Sequence, residues 1–265
     1  MSDPNAYTYP PPPPEANIAA DAPVMTTGQT LSNIFFEPGR VFDSFRARPR
    51  FLVAGAIIIG VVMLFTMLLY QRVGYENIVR ETIENSPQTA QMDQDQKERA
   101  IAMQTGPIFK TIAYVSPLIA IALFFAIGAA LYLLGTSAMG KAMTYPQALA
   151  LWVYSSFPPT ILAMLANIIL LFVRPPDPSD AARARGGLVH ANLGLFIDRA
   201  THPVLATALG AVDIFAIYGL VLAVLGLRKI AKLSSGAAWT IVLVIYLLGV
   251  IIKIAVAAFS GNAMA

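Results

Sequence analysis

FLVAGAIIIGVVMLFTMLLY, residues 51–70, is a run of twenty residues without a single charge. Coiled as an α-helix at ~1.5 Å per residue it reaches ~30 Å, the thickness of a bilayer's hydrocarbon core. Long uncharged runs recur at 111–140 and 142–173, and two later runs carry one charge each. Composition points the same way. Of 265 residues, 57% are hydrophobic and 12% charged, with mean hydropathy +0.64. A soluble domain carries about a quarter charged residues, so a fully solvated globule is excluded and the chain reads as a membrane protein. It has no cysteine, which removes disulfides, thiol nucleophiles, cysteine zinc sites and iron–sulfur clusters together. The net charge is +3 and the pI near 9.2. The basic residues gather at the ends of apolar runs, which fits membrane anchoring and speaks against a nucleic-acid partner.

Upstream of the first run, residues 32–50 read SNIFFEPGRVFDSFRARPR. Ile34, Phe35, Phe36, Val41, Phe42 and Phe45 alternate with Arg40, Arg46, Arg48 and Arg50, which predicts an amphipathic helix with one phenylalanine face and one arginine face, lying in the membrane interface. Pro38 suits its first turn and Pro49 ends it. Residues 1–31, with Pro10 to Pro14 in succession, read as a disordered tail with a short polyproline II rod.

Downstream, 72–104 is polar with mixed charges and predicts two short surface helices broken at Ser86-Pro87. Spans are expected at about 51–71, 107–134, 147–173, 203–227 and 237–260. The third should be broken at Pro158 and Pro159, which remove backbone donors from the helix interior. The loop to Thr201 holds a short apolar stretch, 193–197, expected to dip into the interface. A basic turn, Arg228-Lys229-Ile230-Ala231-Lys232, joins the last two spans. The expected fold is therefore an all-α membrane protein. It has a Pro-rich tail at 1–31, a membrane domain at 32–260 with an interfacial helix and five transmembrane helices, and a short tail at 261–265.

Five spans place the termini on opposite sides. Totals of basic residues on the two sides nearly balance, but Arg40, Arg46, Arg48 and Arg50 crowd the start of the first span. This predicts a cytoplasmic N-terminus.

Two charges interrupt the last two runs, Asp213 and Lys253. Counted from the basic turn, they lie at similar depth, so adjacent antiparallel helices would bring them face to face. A charge at mid-membrane costs roughly 2.5–3.5 kcal/mol, which pairing offsets. The bland reading is an ion pair fixing the packing of the two helices; the sharper one is a proton or ion site, or a polar cavity that opens toward one face. A third is lone snorkelling, mostly for Lys253. Asn167 reads as an interhelical hydrogen-bonding residue. Tyr154 and Ser155 beside the two prolines read as hydroxyls that satisfy freed carbonyls, or as the lining of a transporter-like break. Ala56 and Gly60 are spaced for close helix packing. His190 and His202, without cysteines or a carboxylate spacing, make a poor metal site. No phosphate loop, nucleophile elbow or His-Glu-x-x-His run is present, so no catalysis, metal or cofactor is expected.

The segments EPGRVFDSFRARPRFL (37–52), TYPQALALWVYSSFPP (144–159), NLGLFID (192–198) and VDIFAIYGLVLAVLG (212–226), with the late Lys253, together resemble the bacterial branch of the Yip domain family. That resemblance implies a five-span integral membrane protein over about residues 31–260, with Asp213, Lys253, Pro158, Asn192, Gly194 and Asp198 at family positions. Eukaryotic relatives are associated with Rab-type GTPases. This chain lacks their DLYGP-type segment, which speaks against a GTPase partner. The function expected is a scaffold or adaptor in membrane organisation or protein trafficking, in a bacterial inner membrane. Its partners would be the bilayer, anionic headgroups at the arginine helix, and a second copy or another membrane protein. The alternative is a small transporter or channel component using Asp213, Lys253 and the span-three break.

Overall fold

The computed structural model describes residues 25–263 apart from 175, 184–186, 190 and 200. Most of the expected tail, up to residue 24, lies outside the described residues. Its last part is not tail. The Thr26 hydroxyl accepts from Gln29 N–H while Gln29 Oε1 accepts from Thr26 N–H, a capping box that starts a helix within it.

Eleven α-helices are found among the described residues, with no strand. They are α1 (Thr27–Phe36), α2 (Pro38–Ser44), α3 (Leu52–Leu69), α4 (Tyr75–Glu84), α5 (Gln94–Thr105), α6 (Pro107–Ala138), α7 (Tyr145–Val173), α8 (Pro178–Arg183), α9 (Pro203–Gly210), α10 (Ile214–Ile230) and α11 (Ser235–Ser260). Four helical stretches are long and apolar enough to cross a membrane: Leu52–Glu84, Pro107–Ala138, Tyr145–Val173 and Ser235–Ser260.

The stretch expected as one span at 203–227 is instead two helices, α9 and α10, separated at Ala211, Val212 and Asp213. Asp213 has extended backbone and acts as the N-cap of α10. A capping carboxylate competes with the preceding helix for the same amides, so the chain restarts there.

The first span runs on past residue 71 through a π-helical turn, Tyr70–Gly74, into α4. Gly74 at φ +90 closes that turn, with Asn77 Nδ2 donating to the Val73 carbonyl at 2.8 Å.

Helix α7 is the centre of the bundle. Ala148, Ala150, Leu151, Val153, Tyr154 and Phe157 are buried, and α3, α6 and α10 pack around it. Two glycines permit the close approach: a Cβ on Gly226 of α10 would sit 2.1 Å from Leu151 Cδ1, and one on Gly128 of α6 would fall 2.1 Å from the Trp152 ring. The expected Ala56/Gly60 packing surface faces outward, with open space at Gly60; it is Ala54, Gly55 and Ile58 that face the bundle.

Helices α1 and α2 do not spread their apolar face on the lipid surface. Ile34, Val41, Phe42 and Phe45 are all 0% exposed. Phe45 packs on Tyr154 at 4.8 Å and Phe35 on Phe157 at 6.0 Å. Lys229 Nζ at the end of α10 bridges Asp43 Oδ2 at 2.8 Å, and Gln147 Nε2 donates to the Arg46 carbonyl at 2.8 Å. The phenylalanines find protein rather than lipid because α7 and α10 present an apolar notch at that end, opened by Gly226. On the opposite side, α4 and α5 form a hairpin around Val79, Ile83 and Ile101, tied by Arg80 to Glu98 at 2.7 Å.

Candidate functional site

The break between α9 and α10 would leave bare peptide groups in an apolar setting, where each unmet group costs several kcal/mol. The loop before α9 meets that need. Leu193 N–H donates to the Val212 carbonyl at 3.3 Å, and Ile214 N–H to the Ala191 carbonyl at 3.2 Å. These two bonds form an isolated antiparallel bridge between Asn192 and Asp213. From α11, the Tyr246 hydroxyl donates to the Ala211 carbonyl. Gly194 is buried in the same knot, where a Cβ would stand 2.7 Å from the Ala206 carbonyl oxygen.

Asp213 Oδ1 accepts from Phe215 N–H at 2.9 Å and Ala216 N–H at 3.0 Å, so the carboxylate sits on the positive end of the α10 dipole. Beside it opens a cavity of about 500 Å³ bounded by α6, α7, α9, α10, α11 and the 187–192 loop. Asp213 and Lys253 both line it, within range for their charges to act on each other. They are not joined as a close ion pair. The contacts within 4 Å among the described residues are Arg40–Glu37, Arg80–Glu84, Arg80–Glu98 and Lys229–Asp43. The cap bonds to α10 engage one carboxylate oxygen of Asp213, Oδ1.

Two polar atoms in the cavity wall are buried without a hydrogen-bond partner, Asn192 Oδ1 and Trp152 Nε1. The Trp152 ring is held among aromatics, 4.8 Å from Tyr132 and 5.2 Å from Phe124.

Asn167 also lines the cavity, and its amide serves a loop rather than a neighbouring helix. Its Oδ1 accepts from Val189 N–H at 2.8 Å and from Leu188 N–H, while Nδ2 donates to the Ala163 carbonyl at 2.7 Å. It is 2% exposed, so α7 pins the returning loop from its buried face.

Pro158 and Pro159 do not break α7, which is helical from end to end. Their missing N–H groups release the carbonyls of Tyr154 and Ser155, and Gly219 of α10 lies 3.4 Å from the Ser155 carbonyl oxygen and 3.6 Å from Pro159 Cγ, measured from its would-be Cβ. The absent side chain at Gly219 makes room for that step. Ser155 Oγ donates to the Trp152 carbonyl at 3.0 Å, and Tyr154 is buried in the core that holds α2.

Arg40, Arg46 and Arg48 are exposed at the α1–α2 end, and Arg50 is half-buried with Nη1 on the Met25 carbonyl at 3.0 Å. Lys141 and Lys232 are exposed on helix connections at that same end, and Arg228 is exposed in the last turn of α10. His202 stands at the N-cap position of α9 without a side-chain hydrogen bond to the helix, and His190 lies outside the described residues.

The Yip1 domain family matches residues 32–257. Among curated proteins, the chain is 24% identical over 241 residues to the protein named Membrane protein YknW of Bacillus subtilis (strain 168), covering 88% of this chain and 91% of that one. No solved structure matches.

Proposed function

The chain belongs to the Yip1 domain family, and from that premise we propose that it is a non-enzymatic, multi-pass membrane scaffold or adaptor, in a bacterial inner membrane, that organises lipid and protein around a basic inner face. In this reading α3, α6, α7 and α11 cross the bilayer and α9 with α10 cross as a fifth, interrupted span, giving a cytoplasmic N-terminus.

The observation that carries the reading is the docking of α1 and α2 on the bundle. It holds Arg40, Arg46, Arg48 and Arg50 in fixed relation to Lys141, Arg228, Lys229 and Lys232, with Glu37 and Asp43 as the acids in the same segments. Such a cluster attracts anionic headgroups with about 1 kcal/mol per basic residue near the surface. Reversing Arg46, Arg48 and Arg228 to Glu should bring the anionic lipid co-purifying with the protein down to its bulk fraction. An unchanged lipid ratio in a folded variant overturns the reading.

The cavity with Asp213 and Lys253 favours a second reading, a small transporter component. The two readings separate in solvent access. With no native cysteine, single cysteines at Ala216 and Val250, both in the cavity wall, should resist a water-soluble maleimide if the protein is a scaffold. Rapid labelling at both positions would favour transport.

A further inference from the structure

The cavity at the interrupted span is graded from end to end. Asp213, Lys253, Asn167 and Asn192 lie towards one end, and Trp152, Tyr132 and Val242 towards the other. Trp152 and Asp213 lie on antiparallel helices that meet at Ser155 and Gly219, so by helical rise they stand about 13 Å apart in depth. The side wall is formed by α6 and α11, which meet near their inner ends, where a Cβ on Gly135 would sit 2.6 Å from Ile241 Cγ2. Farther out, Phe124 on one rim and Lys253 on the other are exposed. These flanks carry exposed Ile127, Leu123, Leu248 and Ile252, so the mouth faces hydrocarbon.

A cavity of about 500 Å³ is in the range of small-molecule sites, and what reaches it through such a mouth is an amphiphile. At the polar end Asn192 Oδ1 is an acceptor without a donor, the Asp213 carboxylate retains lone pairs beyond the two cap bonds, and Lys253 sets a positive charge in the same wall. A head bearing both a protonated amine and an anion satisfies this set; an anionic head without an amine offers Asn192 at most a neutral hydroxyl and sets a second negative charge beside Asp213.

We propose that this cavity binds one zwitterionic aminophospholipid from the surrounding bilayer. Its ammonium lies against Asn192 and Asp213, its phosphate on the Lys253 side, and one acyl chain runs down to the aromatic floor at Trp152.

The tryptophan itself is the reporter. The chain has two tryptophans, and Trp239→Phe leaves Trp152 alone. That full-length protein is reconstituted in vesicles of phosphatidylethanolamine and phosphatidylglycerol at equal mole fraction, with brominated chains on one lipid or the other. Brominated phosphatidylethanolamine should quench Trp152 at least twofold more than brominated phosphatidylglycerol. Gly249 lines the cavity with nothing within 4 Å of its would-be Cβ, so Gly249→Phe fills the space without removing a polar group and should abolish the preference. The same substitution at Gly236, equally open but outside the cavity, should preserve it. Equal quenching by both lipids in the parent protein overturns the proposal, as does stronger quenching by phosphatidylglycerol or a preference that survives Gly249→Phe. Charge reversal on the inner face leaves this measurement untouched, so failure of the basic-face reading and failure of the lipid site are distinguishable.

Discussion

Asp213 carries two loads that substitution can separate, the cap on α10 and a charge facing Lys253. Asp213→Asn keeps an acceptor for Phe215 and Ala216, and Asp213→Ala removes it. A cap of this kind contributes ~1 kcal/mol. The Ala variant should therefore lose about that amount in unfolding of the detergent-solubilised protein, with the Asn variant losing clearly less. Combined with Lys253→Gln, the Asn variant should be no worse than the poorer single variant, because each already breaks the electrostatic coupling; additive losses would count against coupling. Asn167→Leu is a harsher change. It strands the N–H groups of Leu188 and Val189, at ~1–3 kcal/mol for each buried group left unmet. Loop 187–189 should then exchange its amides and admit protease faster, while a merely local role for Asn167 would leave both unchanged. Both acidic and amide side chains stood out in the sequence because polar atoms in apolar runs demand partners. What those partners would be was not legible. Asn167 reads as a bond between helices, yet the N–H groups that donate to it belong to a loop about twenty residues on, a contact that no periodicity encodes.

Among the elements, the N-terminal pair α1–α2 separates two physical pictures. Were it a helix floating in the interface, Phe36 and Phe42 would matter alike. Instead Phe36 is 83% exposed and Phe42 0%. Phe42→Ala is expected to cost ~3–5 kcal/mol by the usual measure of a buried aromatic and Phe36→Ala little, in paired thermal unfolding; equal losses would return α1–α2 to the lipid surface. Gly226→Val should be damaging for the same reason, since its side chain would collide with Leu151 and Phe42. The amphipathic pattern was plain in the sequence, but a phenylalanine face has the same pattern whether it meets lipid or protein. The interruption at Ala211–Asp213 was likewise hidden. Hydropathy over 203–227 is continuous, and the Asp213 charge reads equally well as an ion-pair member or a helix cap. Pro158 and Pro159 misled in the opposite direction, because the glycine on α10 that accommodates them is distant in sequence.

At the scale of the whole molecule, residues 32–50, the last turn of α10 and the two helix connections at the same end hold eight basic residues against two acids, Glu37 and Asp43, while the connections at the other end mix both signs. Orientation should therefore depend on the arginines ahead of α3. Charge reversal of Arg46, Arg48 and Arg50 is expected to weaken or invert insertion, read by reporter fusions at either end of α3, and an unaltered topology would refute this. The overall class was legible from composition and run length alone, because hydrocarbon thickness dictates both.

Helix α6 has 32 residues, ~48 Å at the standard rise against a hydrocarbon slab of ~30 Å. It cannot stand upright with its apolar surface fully covered; it must lean or locally thicken the membrane. Hydrophobic mismatch thus makes bilayer thickness a force on one flank of this protein, and membranes of unequal thickness should retain it unequally.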